Sequence, residues 1–332
     1  MALRILINGF GRIGRTLLRQ VLTDASHSDI EVVGINDIAA LDLCAYLFRY
    51  DSVFGPFPGS VEVMGQAIRA GGRTIPVTSN ADISVMDLQD VDLVLECTGK
   101  AGVRDVAERG LSAGATGVLI SGPSDAADVT LVLGANEERL GEARIVSNAS
   151  CTTNAIAPLL HGLESCLGIE RAHVTTIHCY TGSQPTVDAP AASFERSRAA
   201  AVSMVPTSTS AAGLVTRVVP ALEGRLTVSA VRVPTISVSA VDAVLQLSAP
   251  LERPIEAVLA EAFQASPYVG LIQDACVSTD LRARPESLVL ALPETMMIDQ
   301  RQLRLFGWYD NEWGFSARML DLARKMAARS NS

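Results

Sequence analysis

Apolar residues along the first half of the chain come in short blocks separated by polar, glycine-containing turns. Residues 3–8 (Leu-Arg-Ile-Leu-Ile-Asn) read as a buried strand, 12–22 as a helix, and Ile30–Ile35 as a second strand. Further strands are predicted at Val91–Glu96, Gly117–Ile120, Val129–Leu133 and Arg144–Ser147, with a helix-like stretch at Val103–Ala113. Strands alternating with helices predict an α/β fold built on a doubly wound parallel sheet of the Rossmann kind. Beyond residue 151 the pattern changes. A helix-like stretch (Ala155–Leu163) is followed by longer strand-like runs at His173–His178, Leu226–Val233, Val238–Leu247, Leu288–Leu292 and Leu303–Trp308. These predict a second, α+β domain with a mostly antiparallel sheet. Trp313–Arg329 has the period of an amphipathic helix, with Phe315, Met319, Leu322 and Met326 on one face. The span Asp188–Gly213, rich in Ala, Ser and Thr, reads as a long loop. The domain boundary falls between residues 150 and 151.

Composition narrows the picture. The 332 residues suffice for two domains, and a net charge of −9 argues against nucleic acid or an anionic membrane as the main partner. No apolar run reaches the roughly 18 residues that span a bilayer. The first strand begins near Leu3, so no signal peptide is expected. The six cysteines (Cys44, Cys97, Cys151, Cys166, Cys179, Cys276) are scattered without paired metal spacing. That fits a cytoplasmic protein with no metal site.

Two motifs carry chemistry. Gly9-Phe10-Gly11-Arg12-Ile13-Gly14 follows a strand and opens a helix, with Asp37 at the end of the second strand. Glycines at this spacing let the backbone approach a pyrophosphate at the helix N-terminus, and the acid meets the adenine ribose hydroxyls. The strand–turn–helix context outweighs the plain reading of a turn that binds nothing. Asp37 would repel a 2′-phosphate, which favours NAD over NADP. The second motif is Ser147-Asn148-Ala149-Ser150-Cys151-Thr152-Thr153-Asn154. It places Cys151 at a helix start, where the positive end of the dipole favours thiolate over thiol. A free cysteine is often an inert core residue, but the polar company here points to a nucleophile. His178, at the end of a later strand, is its natural base. Arg196, Arg198 and Arg232 lie near the hydroxyl-rich segments Thr207-Ser208-Thr209-Ser210 and Val233-Pro234-Thr235, a suitable setting for phosphate oxygens.

Taken together, five segments resemble phosphorylating glyceraldehyde-3-phosphate dehydrogenases, and the resemblance runs end to end. They are Ile7–Arg15, Glu96-Cys97-Thr98-Gly99, Ser147–Asn154, Ala230–Thr235 and Trp308–Gly314. The resemblance implies NAD-dependent, phosphorylating oxidation of glyceraldehyde 3-phosphate to 1,3-bisphosphoglycerate through a Cys151 thioester, with His178 as base. It implies backbone N–H groups of Cys151 and His178 around the oxyanion. Thr181 and Arg232 would take the substrate's own phosphate, and Ser150, Thr152, Arg196, Thr209 and Ser210 would surround the attacking one. Gly9, Gly11, Arg12, Ile13, Gly14, Asp37, Thr98, Ser121 and Asn311 would hold NAD, with Asn311 on the nicotinamide amide. It implies that helix 315–332 completes the NAD-binding domain of residues 1–150, leaving 151–314 as the catalytic domain. It also implies a homotetramer, with the loop Thr181–Ser203 at a subunit interface.

The chain departs from the family pattern at Ser183 (usually Asp), Ser210 (Gly), Phe315 (Tyr), Ala155 (Cys) and Ala189 (Leu). Ser183 and Ser210 touch the expected anion sites, and Ala189 lies where bulk beside the adenosine ribose resists NADP. Three readings therefore stand: the family reaction, in a glycolytic enzyme or a specialised paralogue that uses arsenate as acceptor; the same chemistry on erythrose 4-phosphate; and a non-catalytic NAD-binding regulatory protein.

Overall fold

The computed structural model describes residues 2–330. Residues 331 and 332 of the expected final helix lie outside them. Two compact units emerge, each built on its own sheet: Met1–Leu131 with Glu138–Ala149 and Ser316–Ser332, and Val132–Glu137 with Ser150–Phe315.

The first unit contains β1 (Leu3–Asn8), β2 (Ile30–Asn36), β3 (Val61–Val63), β4 (Ala67–Ala70), β5 (Arg73–Thr78), β6 (Leu93–Glu96), β7 (Gly117–Ile120), β8 (Val129–Thr130) and β9 (Ile145–Ser147). They lie in the order β3-β4-β5-β2-β1-β6-β7-β9-β8. The run from β5 to β8 is parallel throughout. Central parallel strands are covered on both faces, which is why β1, β6 and β7 are apolar almost without alternation. Leu6, Val94, Val118 and Ile145 belong to one buried cluster. Helices α1 (Arg12–Thr23), α2 (Leu41–Arg49), α3 (Arg104–Ala107) and α4 (Arg109–Ser112) connect the strands.

The expected helix Val103–Ala113 is thus two short turns. Gly110 there packs so closely that an added Cβ would lie 2.9 Å from the methyl groups of Val94 and Val118. The expected strand to Leu133 stops at Thr130. The antiparallel strands β3–β5 were not expected. Their reversals use glycines at positive φ (Gly65, Gly71, Gly72), a punctuation easily read as loop.

The second unit holds α5 (Cys151–Leu167), β10 (Ile169–Cys179), β11 (Val205–Thr207), α6 (Ala211–Val218), β12 (Leu226–Val233), β13 (Ser239–Leu247), α7 (Ile255–Phe263), β14 (Val269–Ile272), β15 (Leu288–Ala291), β16 (Met296–Ile298) and β17 (Gln302–Tyr309). Its order is β11-β12-β10-β13-β17-β15-β14, with β16 on β17. Only the β10–β12 and β14–β15 pairs are parallel. In β13 and β17 buried positions alternate with more exposed ones, the period of two that made them readable. The span Asp188–Gly213, expected as loop, contains β11 and the start of α6. The last helix, α8 (Trp313–Ser330), begins in the second unit and continues into the first.

Candidate active site

The position of the expected nucleophile, Cys151, is built by a sharp turn. After β9 the chain passes through Ala149, buried and at φ 53°, a left-handed conformation rare without glycine. Ser150 then caps α5, its Oγ accepting the Thr153 N–H at 3.0 Å, and Cys151 is the first helical residue. His178, near the end of β10, places Nε2 3.5 Å from Cys151 Sγ. The β10–β12 register sets Arg232 directly beside His178. Arg232 Nη1 donates to Cys179 O at 2.8 Å and lies 2.5 Å from His178 Nδ1. Tyr309 meets the His178 ring edge-on at 5.9 Å, and its hydroxyl bonds Thr152 (3.0 Å) and Thr176 (2.7 Å).

Burial depresses His178 to about 4, with Arg232 adding to the effect, so the ring is neutral near pH 7. Position at a helix start does not by itself make Cys151 a thiolate. Burial pushes the thiol up, and this outweighs the pull of Arg232, the Thr152 hydroxyl and the first N–H groups of α5. A thiolate here must be made by moving a proton, not merely by position.

The expected phosphate ligands fall into two groups. Arg232 stands across the β11–β12 ladder from Val205. From β11 the chain runs into Thr207–Ser210, where Arg196 donates to Thr207 Oγ1 (2.6 Å) and Ser208 O (3.1 Å), and Thr209 Oγ1 accepts the Ala211 N–H. Ser210, at the start of α6, is exposed. Thr181 and Ser183 share a hydroxyl–hydroxyl bond of 3.0 Å. Thr152 differs from expectation. Its hydroxyl is buried against Tyr309, and both the hydroxyl and the backbone N–H act on Cys151. Asn311 Oδ1 accepts from the Cys179 thiol (3.1 Å) and the Ser239 hydroxyl (3.4 Å), while Ser239 Oγ accepts the Cys179 N–H. Burial holds Cys179 as a thiol, pushed up to about 12. This fixes the Asn311 carboxamide with oxygen inward. Tyr309, Thr176, Cys179 and Ser239 went unrecognised in the sequence; the Trp308–Gly314 segment was the one available pointer to Tyr309.

In the first unit, the residues fit a dinucleotide. Gly9 (φ +95°) turns the chain against Cys97 and Thr98, and a Cβ on Gly14 would lie 2.1 Å from Gly9 O. A Cβ on Gly11 would meet nothing within 4 Å, leaving open backbone at the start of α1. Asp37 accepts the Phe10 N–H at 2.6 Å and the Ala39 N–H at 2.8 Å. It lines a cavity of about 240 Å³ with Gly9, Gly11, Asn36, Thr98 and Lys100, among others. Beneath runs a buried polar chain unseen in the sequence: Asn36 donates to Asn8, Asn8 to Glu96, and the Thr98 N–H to Glu96. The Arg12 side chain turns away to Asp51, so its place in the loop is through backbone. Ile13 continues α1, and Ser121 sits beside Cys97, outside the cavity lining. Among the described residues no three His, Cys, Asp or Glu side chains gather as a metal site, and no helix is long and apolar enough to cross a membrane.

Comparison with known proteins agrees on both units. Residues 3–103 match the family profile described as glyceraldehyde 3-phosphate dehydrogenase, NAD binding domain, and residues 150–311 match its C-terminal domain. A glyceraldehyde-3-phosphate dehydrogenase of Xanthobacter flavus is 45% identical over 332 residues, covering 98% of this chain and 99% of the relative. Proteins of the same name from Cereibacter sphaeroides and Pseudomonas aeruginosa are 43% and 44% identical, over 98% and 99% of this chain and 99% of each relative.

Proposed function

This chain belongs to the glyceraldehyde-3-phosphate dehydrogenase family, and from that premise we propose that it oxidises glyceraldehyde 3-phosphate to 1,3-bisphosphoglycerate with NAD and inorganic phosphate. The observation that carries the reading is the 3.5 Å approach of His178 Nε2 to Cys151 Sγ with Arg232 alongside. His178, neutral near pH 7, takes the thiol proton as sulfur adds to the aldehyde carbon. The Cys151 N–H, without an intrahelical partner at the start of α5, supports the oxyanion. Bound NAD supplies the hydride acceptor. Loss of hydride from the resulting thiohemiacetal oxyanion leaves a neutral thioester on Cys151, with the thiol proton held on His178. Phosphate oxygen then attacks its carbonyl, and the C–S bond breaks to release the acyl phosphate and the thiolate. Arg232 and Thr181 hold the substrate phosphate, and Arg196 with Ser150, the Thr152 N–H, Thr209 and Ser210 hold the attacking one. Gly9, Gly11, the Arg12 and Ile13 backbone, Gly14, Asp37, Thr98 and Ser121 hold NAD, with Asn311 presenting its NH₂ to the nicotinamide amide.

Residues 1–150 with the last helix form the NAD-binding domain in this reading, and 151–314 the catalytic one. The protein works in the cytoplasm, which six unpaired cysteines support, and as a homotetramer.

Steady-state assay tests the reading: glyceraldehyde 3-phosphate against erythrose 4-phosphate, each with phosphate and with arsenate. Higher kcat/KM with glyceraldehyde 3-phosphate, abolished in Cys151→Ser while NAD binding survives, is expected. Preference for erythrose 4-phosphate would move the assignment to that substrate, and the Thr181–Ser183 hydroxyl pair would be its cause. Absence of NADH formation with either aldehyde would leave only a cofactor-binding protein.

A further inference from the structure

His178 Nδ1 lies within reach of two groups that require opposite states of it. Cys179 O, 2.7 Å away, can only accept, so it asks Nδ1 to carry the ring proton. Arg232 Nη1, 2.5 Å away, can only donate, so it asks Nδ1 to offer its lone pair. A neutral imidazole has one N–H, and the state of Nδ1 therefore dictates that of Nε2, the nitrogen facing Cys151. If Nδ1–H bonds Cys179 O, Nε2 is a lone pair and can take the thiol proton. If Nδ1 accepts from Arg232, Nε2 carries the proton and can only donate to sulfur.

Arg232 removes the competing demand as well. At 2.8 Å its Nη1 also donates to Cys179 O, so that carbonyl needs no proton from His178. The groups facing the ring are Cys151 from α5, the Cys179 backbone on β10, Arg232 from β12 and Tyr309 from β17. Burial raises the Tyr309 phenol, whose hydroxyl is engaged by Thr152 and Thr176, and burial raises both thiols. Arg232 is thus the one formal charge among them near pH 7.

We propose that Arg232 sets the tautomer of His178. In the free protein it holds the ring as the Nε2–H form, a donor toward Cys151. A phosphate monoester that captures the guanidinium releases Nδ1 to bond Cys179 O and turns Nε2 into the base. The exchange moves one proton from Nε2 to Nδ1 through solvent, with no net gain or loss. A dianion offers a guanidinium two charge-assisted bonds, against one from a neutral ring nitrogen, so it wins the competition. Base competence then appears only when a phosphate is present beside the aldehyde. This rests on the reading above that Arg232 receives the substrate phosphate.

The test is long-range ¹H–¹⁵N correlation on the full chain labelled with ¹⁵N-histidine, with the His178 signals identified by their loss in His178→Gln. The probe is sn-glycerol 3-phosphate, which has no aldehyde to react. The Nε2–H pattern is expected in the free protein, and the Nδ1–H pattern with the probe bound and in Arg232→Ala. Arg232→Ala should also move the His178 titration midpoint upward from about 4. Arg232→Lys, which keeps a cationic donor, serves as the second variant and should retain more of the Nε2–H form. Nδ1–H in the free wild-type protein, or Nε2–H retained in Arg232→Ala, overturns the proposal. A tautomer that responds to Arg232→Ala but not to bound glycerol 3-phosphate overturns the switch. Turnover of glyceraldehyde 3-phosphate, measured separately, tells that outcome from failure of the assigned reaction.

Discussion

At Cys151 two influences oppose each other. Burial favours the thiol, while Arg232, the Thr152 hydroxyl and the N–H groups at the start of α5 favour the thiolate, and burial prevails. Iodoacetamide inactivation of the free protein should therefore quicken as pH rises through the ordinary thiol range, without levelling off near neutrality. One equivalent should suffice, with label on Cys151. Cys97 and Cys179, each pushed up to about 12 by burial, should stay unlabelled. Peptide mapping with label on those two, or full activity after one equivalent, would reject Cys151 as the nucleophile. The approach of His178 to Cys151 could be anticipated because local context marks both residues: a polar helix start, and a strand end. Tyr309, Thr176, Cys179 and Ser239 were not legible in the sequence. Their contacts depend on tertiary packing between distant elements, which joins residues as far apart in sequence as Thr152 on α5 and Tyr309 on β17, and no local pattern encodes that.

At the scale of elements, β1, the glycine turn, α1 and β2 form one device. Asp37 accepts the Phe10 N–H and so ties the end of β2 to the turn it faces. In Asp37→Ala the ribose would lose its acceptor, the turn its anchor, and a 2′-phosphate its repulsion. A carboxylate and a phosphate about 4 Å apart repel by roughly 1–4 kcal/mol between water-like and surface dielectric. The kcat/KM preference for NAD over NADP should accordingly shrink by about 10-fold or more, with the loss on the NAD side included. Equal efficiency with both cofactors before mutation would show that Ala189 outweighs Asp37. These elements were readable because runs rich in β-favouring residues and a G-x-G-x-x-G turn fix both type and order. Strands β3–β5 were not, being short and joined by glycine turns. The break between α3 and α4 was equally hidden, since Gly110 alone does not reveal its close packing on Val94 and Val118.

At the scale of the molecule, the segment 181–203 stands out. Its only helical feature is one 3₁₀ turn at Glu195–Ser197, yet it carries Phe194 at 95% exposure and Val202 at 80%, with Met204 just beyond at 75%. Side chains of this kind are what the proposed tetramer would cover. Light scattering should give a mass near four times 35.1 kDa, and NAD should raise the melting temperature by favouring the folded form. A fully active monomer at micromolar concentration would overturn the tetramer.

The path of the chain has a consequence in time. The first unit is closed by residues at the far end of the sequence. Met319, Leu320, Leu322, Ala323 and Met326 are buried in it, Arg324 pairs with Asp29, and Arg329 donates to Gly141 O and Ala143 O. A ribosome adding about 5–20 residues per second leaves residue 149 roughly 10–30 s before it reaches 316. Throughout that interval the nascent nucleotide-binding unit lacks its final helix, and the apolar side chains that α8 will cover stay open to water. The second unit, begun later, is the first whose residues are all made. The unit whose residues come first along this sequence is thus the last to have all of them made.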